Sequence, residues 1–378
     1  EVVLDRGRQL RWSYAPPLMV YLASGIAGLT SIVGTFFVKE YLELSADFLA
    51  ALGFWAGIPW ALKMPIGHLV DLIWRWKAAL VYLGAALIAA SILIMYGLIV
   101  APLAMGALAP LGAWFVLSTL LSPVGYVIQD TVADAMTVEA VPTHDAEGRQ
   151  LPEAQVKAMH TTMQTLGRVA IIGGLVLVAA LNISMFAEVE TLSQAEKAAI
   201  YAEIYLMALA IPVISVLGVT LASLELRRRA RALRAKGLAP AAVKAILRQG
   251  GEAARPNWPI LGGGMAYVLV ILAIGLSGLP YDEEIVFALS MGVVLYLIRR
   301  LLDELPPGQR LALVGTAAII FAFRATPGVG AGAGWWQIDV LGFDQRFFAV
   351  LTLLSSLLAL IGMLALRPLI ARRSIADV

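Results

Sequence analysis

Three carboxylates lie close together in the segment SPVGYVIQDTVADAMTVEAV, residues 122–141, which follows a long apolar run. Asp130 and Asp134 are four residues apart, so they share one face of a helix. Tyr126 extends that face by one turn, and Glu139 lies nearer the end of the segment. Paired carboxylates can accept hydrogen bonds from a solute and exchange a proton. Such charges are costly inside a membrane, which predicts that they face a cavity or a partner.

Two cations in other apolar runs complement these carboxylates. Lys63 lies in LKMPIG and Arg168 in TLGRVAIIGG. At about 1.5 Å per helical residue, both fall in a layer similar to that of Asp130. One interpretation is a set of salt bridges, such as Lys63 with Asp130, that only holds helices together. The other, which we favour, is a solute and proton site that faces a central cavity.

The composition determines the class of protein that must position these residues. Hydrophobic residues make up 60% and charged residues 14% of the 378 residues, whereas soluble domains average about 25% charged residues. The apolar residues form blocks of roughly 20, the length that a helix needs to cross the hydrocarbon core. The sequence therefore predicts an all-α polytopic membrane protein. It contains no cysteine and three histidines, so we expect no metal site, no cofactor and no enzymatic activity.

Ten membrane spans are predicted from the apolar blocks, and their connectors alternate in charge. Basic connectors follow the even-numbered spans, whereas the connectors after the first, fifth and seventh spans lean acidic. The positive-inside rule then places both termini in the cytoplasm, and we expect a bacterial inner membrane. The spans lie near 16–38, 47–71, 78–98, 106–138, 158–184, 200–224, 258–278, 284–301, 308–325 and 345–366.

A long basic connector, residues 225–257, divides the predicted spans into six and four. We interpret it as a cytoplasmic linker that faces lipid headgroups, and we expect no nucleic-acid partner. The predicted domains are therefore a six-helix bundle (1–224), the linker, and an incomplete C-terminal bundle (258–378). Six spans, a basic loop and further spans are typical of the major facilitator fold. That fold would add two helices after Val378, giving twelve.

The loop after the second span, GHLVDLIWRWK, carries a partial match to a major facilitator signature. Gly67, Asp71 and Arg75 have the spacing of the signature between the second and third helices, but Leu72 occupies the place of its usual basic residue. In that signature the Asp–Arg pair forms a cytoplasmic latch. We therefore expect a gating role for these three residues and, because it lies near the same side, for Glu139.

The segments LKMPIGHLVD and YVIQDTVADAMTVEA resemble the folate-biopterin transporter family of the major facilitator superfamily. That family has a Pro/Lys-containing second helix and an acidic pattern in its fourth helix. Thr131 replaces one valine of the pattern, and Arg168 stands where the family tends to carry a fifth-helix arginine. The pattern is otherwise kept by Asp130, Ala133, Asp134, Ala135 and Glu139.

The resemblance implies proton-driven uptake of folates or pteridines. A carboxylate could accept two hydrogen bonds from a pterin ring, and Lys63, Arg168 or Arg324 could bind the anionic tail of a folate. Two alternatives remain: a transporter for another solute, and a non-transporting major-facilitator-like subunit or assembly factor of a larger membrane complex. A membrane enzyme is disfavoured because the sequence shows no spacing of a nucleophile and a base.

Overall fold

The computed structural model describes residues 12–143, 150–237, 239–240, 243, 256–303, 305–326 and 328–372. These residues form helices and connecting loops, with no β-strand among them. The helices are α1 (Ala15–Ile26), α2 (Ser31–Glu40), α3 (Ala46–Ala61), α4 (Lys63–Leu72), α5 (Lys77–Val100), α6 (Pro102–Leu108), α7 (Leu111–Ala140), α8 (Glu153–Met185), α9 (Gln194–Ala208), α10 (Ala210–Ala235), α11 (Trp258–Ser277), α12 (Asp282–Asp303), α13 (Pro307–Arg324), α14 (Gly330–Asp339) and α15 (Gln345–Arg372).

Within the described residues, eight helical segments are long and apolar enough to cross a membrane. The protein is therefore an all-α membrane protein, as predicted. The other two predicted spans are α12 and α13, which are helical and carry charged residues towards both ends. A count of ten spans and the major facilitator fold stay predictions. The eight segments are Ala15–Glu40, Ala46–Leu72, Lys77–Val100, Leu111–Ala140, Glu153–Met185, Gln194–Ala235, Trp258–Ser277 and Gln345–Leu366.

The contacts between helices divide the chain into two compact units. The first unit holds α1, α2, α5 to α10 and α15, and the second holds α3, α4 and α11 to α14. This grouping differs from the predicted division at the connector 225–257. The first residues of that connector continue α10 to Ala235, and residues 244–255 lie outside the described part of the chain.

Helix α15 belongs to the first unit, and polar contacts join its beginning to α9 and to the loop that follows α8. The Gln345 amide donates to the Tyr201 hydroxyl at 2.7 Å, and the Arg346 guanidinium donates to the Ala187 carbonyl at 3.1 Å. Phe348 packs edge-on against Phe36 of α2. Sequence order alone does not predict these contacts, since 144 residues separate Gln345 from Tyr201.

Glycines allow the helices of the first unit to approach closely. On α5 and α7, a Cβ added to Gly84 would lie 2.7 Å from the Gly125 carbonyl oxygen, and one added to Gly125 would lie 2.6 Å from that of Gly84. The Gln129 amide donates to the Val81 carbonyl beside this crossing. Small residues at a crossing are typical of helix packing in membranes, where dispersion contacts hold helices together.

The same kind of contact joins α1 to α8 and α10. A Cβ on Gly174 would lie 2.9 Å from the Gly25 backbone, and one on Gly218 would lie 2.9 Å from the Pro16 carbonyl oxygen. Helix α1 is therefore held between two other helices at near-minimal distance. This packing fixes the position of Tyr21, which lies one turn before Gly25.

The second unit has its own core around α11 and α12. Tyr267, Ile271 and Val286 are buried there and contact Phe54 and Trp55 of α3. The Tyr267 and Ser290 hydroxyls are 2.5 Å apart and share a hydrogen bond.

Helices α3 and α4 of this unit are separated by a break at Leu62. Pro59 lies inside α3 and Pro65 lies in the first turn of α4. Because neither proline has an amide hydrogen, two successive turns each lack a hydrogen bond of the helix. The break therefore follows directly from the spacing of the two prolines.

Candidate functional site

Helix α7 carries most of the predicted site as one continuous helix of 30 residues. Tyr126, Asp130 and Asp134 follow one another at intervals of four residues, so they share a face, and all three are half-buried. The intervening residues Val127, Val132 and Ala133 are fully buried. The face that carries the carboxylates is therefore less covered than the face that packs into the unit.

Tyr21 of α1 is the first partner of this face. Its hydroxyl donates a hydrogen bond of 2.6 Å to a carboxylate oxygen of Asp134. Tyr21 is 5% exposed, and a Cβ on Gly167 of α8 would lie 2.9 Å from its ring. The missing side chain at Gly167 thus provides the space that the ring occupies.

Arg168 follows Gly167 directly and brings a cation to the same place. Both Arg168 and Asp130 lie near enough to the Tyr21 hydroxyl to act on it electrostatically. Arg168 is exposed, whereas Tyr21 is buried. The first unit therefore brings together two carboxylates, a phenol and a guanidinium from α1, α7 and α8. We call Tyr21, Asp130, Asp134 and Arg168 the acidic cluster.

Sequence reasoning identified three of these four residues and missed Tyr21. A tyrosine in an apolar span has no charge, and the periodicity of the first span does not single it out. The sequence signal nearest to Tyr21 is Gly167, directly before Arg168. A glycine there indicates that another side chain packs closely against α8, but it does not identify that side chain. The structure shows that this partner is the ring of Tyr21.

Lys63 belongs to the second unit, where it is the first residue of α4 and is half-buried. Its side chain follows the break at Leu62 directly. The expectation that Lys63 shares a layer with Asp130 and Arg168 stays a prediction.

Gly67 and Asp71 also lie on α4, one half-buried and the other exposed. Arg75 lies in the short 3₁₀ turn Trp74–Trp76, and its side chain lies outside the described part of the structure. The predicted latch between Asp71 and Arg75 therefore stays a prediction.

Glu139 has a partner that sequence reasoning did not assign. It forms an ion pair with Lys77, the first residue of α5. The Lys77 ammonium also lies 4.0 Å from the centre of the Trp74 ring, a cation–π contact. The side chains of Lys77 and Glu139 are 9% and 19% exposed. The ion pair of Lys77 and Glu139 is therefore largely shielded from its surroundings.

A small pocket lies beside this pair, at the end of α7. Its walls include Ser13, Met136, Glu139, Glu225 and Arg229, and its cavity volume is about 40 Å³. Arg229 donates to Glu225 at 3.0 Å within the same wall. This volume accommodates water molecules and is too small for a solute the size of a pterin.

Among the described residues, no group of three or more histidines and carboxylates is arranged to hold a metal ion. Comparison with protein-family models, with curated proteins and with solved structures finds no match. The resemblance to folate-biopterin transporters therefore rests on the quoted motifs alone, and membership of that family stays a prediction.

Proposed function

We propose that this protein is a secondary active transporter whose acidic cluster binds the solute and a coupling proton. The observation that carries the proposal is the hydrogen bond from Tyr21 to Asp134 among three apolar helices, with Asp130 and Arg168 in electrostatic range. Each charge placed in a membrane costs at least about 2.5–3.5 kcal/mol on insertion scales. A cluster that collects several such charges is better explained by function than by helix packing.

The chemistry of the cluster suits an exchange of partners. Asp134 accepts a hydrogen bond from a neutral phenol, and a solute N–H group or a proton can take the place of that donor. Asp130, one turn away, supplies a second acceptor on the same face. The exposed Arg168 can bind a solute anion bidentately. The cluster can therefore bind a solute that has neighbouring N–H donors and a negative charge.

Folates and pteridines have both properties, and the motifs in LKMPIGHLVD and YVIQDTVADAMTVEA resemble those of their transporters. We therefore propose a folate or pteridine as the solute, carried by alternating access together with a proton. We further propose that the protein resides in a bacterial inner membrane with both termini in the cytoplasm, because its basic connectors alternate with acidic ones.

A second candidate is a non-transporting subunit or assembly factor of a larger membrane complex. The largely shielded ion pair of Lys77 and Glu139 favours this candidate, because it is a contact between charges of α5 and α7 that holds helices together. In that case the acidic cluster would only hold α1, α7 and α8 together. The two candidates differ in what happens when the charge of Asp130 is removed.

Uptake into proteoliposomes distinguishes the two candidates. Labelled folate, labelled biopterin and an unrelated sugar are supplied with and without a pH gradient. We expect accumulation of folate or biopterin that requires the gradient and is lost in Asp130→Asn, which keeps the size of the side chain. Glu139→Gln serves as the matched control. Absence of uptake by the wild-type protein, or full uptake by Asp130→Asn, would contradict the proposal.

A further inference from the structure

Helix α10 continues well past the apolar part of its span and carries several arginines in its last turns. Arg227, Arg228, Arg231 and Arg234 are all exposed, whereas Arg229 is half-buried and pairs with Glu225. Most of these arginines therefore point away from the packed unit. Their position relative to the rest of the helix indicates what they contact.

One stripe of residues runs along the exposed side of this span, from the end of α9 to the end of α10, with Leu221 and Arg228 exposed beside it. From Leu206 to Arg234 its residues recur at steps of four and three, which in a helix keeps them on one side with a drift of only about 20° per heptad. The apolar members Leu206, Val213, Leu217 and Leu224 are each between 45% and 55% exposed. The full stripe is Leu206, Ala210, Val213, Leu217, Thr220, Leu224, Arg227, Arg231 and Arg234.

The opposite side of α10 is buried. Ile211, Ser215, Gly218 and Ala222 pack into the first unit, and Gly218 lies against α1. An exposed apolar stripe opposite a packed face, on a membrane-spanning helix, is the side that contacts lipid. The stripe therefore shows which side of the helix faces the acyl chains.

The length of the apolar part matches the membrane. Leu206 and Leu224 are 18 residues apart, which at 1.5 Å per residue is about 27 Å. The hydrocarbon core is about 30 Å thick. Arg227 therefore lies at the level where the acyl chains end and the headgroups start. It is on the same side of the helix as the lipid-facing leucines.

We propose that Arg227, Arg231 and Arg234 form a binding site for anionic phospholipid headgroups. The arginine fork matches phosphate oxygens, and the leucines directly before it contact the acyl chains of the same lipid. This continuity favours a lipid over a nucleic acid, which has no apolar tail to place against Leu224 and Leu217. The proposal does not depend on the transport function.

Native mass spectrometry of the full chain in detergent tests the proposal. Phosphatidylglycerol and phosphatidylcholine with identical acyl chains are titrated against the wild-type protein and the triple variant Arg227→Gln/Arg231→Gln/Arg234→Gln. We expect the wild-type protein to bind phosphatidylglycerol at least about tenfold more tightly than phosphatidylcholine. Each arginine removed should weaken that preference about fivefold until none remains.

Two further variants serve as controls. Lys157→Gln/Arg299→Gln/Arg300→Gln removes the same charge from exposed cations scattered over two other helices, and should keep the preference. Arg227→Lys/Arg231→Lys/Arg234→Lys keeps the charge and should retain most of it. If the triple glutamine variant does not fold, Arg231→Gln alone should lower the preference about fivefold.

Three results would overturn the proposal. The first is equal binding of the two lipids by the wild-type protein. The second is an equal loss of preference in the stripe variant and in the scattered control. The third is displacement of phosphatidylglycerol by a single-stranded RNA oligonucleotide or by glycerol phosphate at comparable concentration, since the site would then recognise phosphate without a lipid.

Discussion

Asp134 and Glu139 lie five residues apart on the same helix, yet their surroundings differ in kind. Asp134 accepts a hydrogen bond from the neutral Tyr21, with the exposed Arg168 in range. Glu139 is paired with the buried ammonium of Lys77, which also contacts an aromatic ring. A neutral partner can be exchanged for a solute or a proton, whereas a shielded ion pair resists opening. On the proposed function, we expect Asp134 to bind the solute and the proton, and Glu139 to stabilise the fold through its ion pair.

The largest expected effect comes from Asp134→Asn. Removing the charge while keeping the shape should lower proton-driven uptake by at least about 100-fold, equivalent to about 2.7 kcal/mol. Glu139→Gln should lower it by no more than about fivefold. Initial uptake rates into proteoliposomes measure both variants at equal protein content. Similar losses in the two variants would remove the functional distinction between the two carboxylates.

The free energy of unfolding should depend more on Glu139 than on Asp134, which is the opposite of the order expected for uptake. Removing one member of the Lys77–Glu139 pair leaves a shielded charge without its partner, and we expect a loss of about 1–3 kcal/mol, below the value for fully buried pairs because Glu139 stays 19% exposed. The double variant Lys77→Gln/Glu139→Gln should recover part of the loss. Thermal unfolding followed by tryptophan fluorescence measures the cycle. If the losses in unfolding free energy of the two single variants add up to the loss of the double variant, the two side chains do not stabilise each other.

Gly167→Ala tests whether the position of Tyr21 matters. The new Cβ would lie 2.9 Å from the ring of Tyr21, so the ring must move, at a cost of about 1–2 kcal/mol. Uptake should fall with it, because the hydroxyl no longer reaches Asp134. Gly173→Ala on the same helix is the matched control, since nothing lies within 4 Å of its added Cβ. Equal melting temperatures and uptake for the two variants would contradict this role of Gly167.

The smallest effect is expected for Tyr21→Phe. The ring and its packing remain, and a single hydrogen bond is lost, which contributes about 1 kcal/mol. Uptake should fall about fivefold, because Asp134 has lost a hydrogen-bond donor. A variant with the uptake rate of the wild-type protein would show that the Tyr21 hydroxyl takes no part in transport.

The helices of this protein could be predicted well from the sequence because the hydrocarbon core requires long apolar runs. Eight of the predicted spans coincide with long apolar helices of the structure. The fourth was placed at 106–138, whereas Pro110 separates α6 from α7 at that point. Apolar content is unaffected by a proline, so hydropathy alone does not locate such a break.

The partners of the site residues were harder to predict. Tyr21 and Asp134 are 113 residues apart, and Lys77 and Glu139 are 62 apart. Their pairing depends on how helices group, which is decided by contacts such as Gly84 against Gly125. Those contacts have no periodic signal along the chain, so the sequence predicts the charged residues without their partners.

The break at Leu62 has a mechanical consequence for the second predicted span. Pro59 and Pro65 leave the carbonyls of Trp55 and Ala61 without the amide donors that a regular helix supplies. Bending stiffness in a helix comes from its continuous ladder of hydrogen bonds, and here the ladder is interrupted at two successive turns. The span is therefore compliant at one point, and Lys63 sits at that joint. A small change in bend angle there moves Lys63 little, and it swings the far end of α4, which carries Asp71, through an arc that a continuous helix would resist.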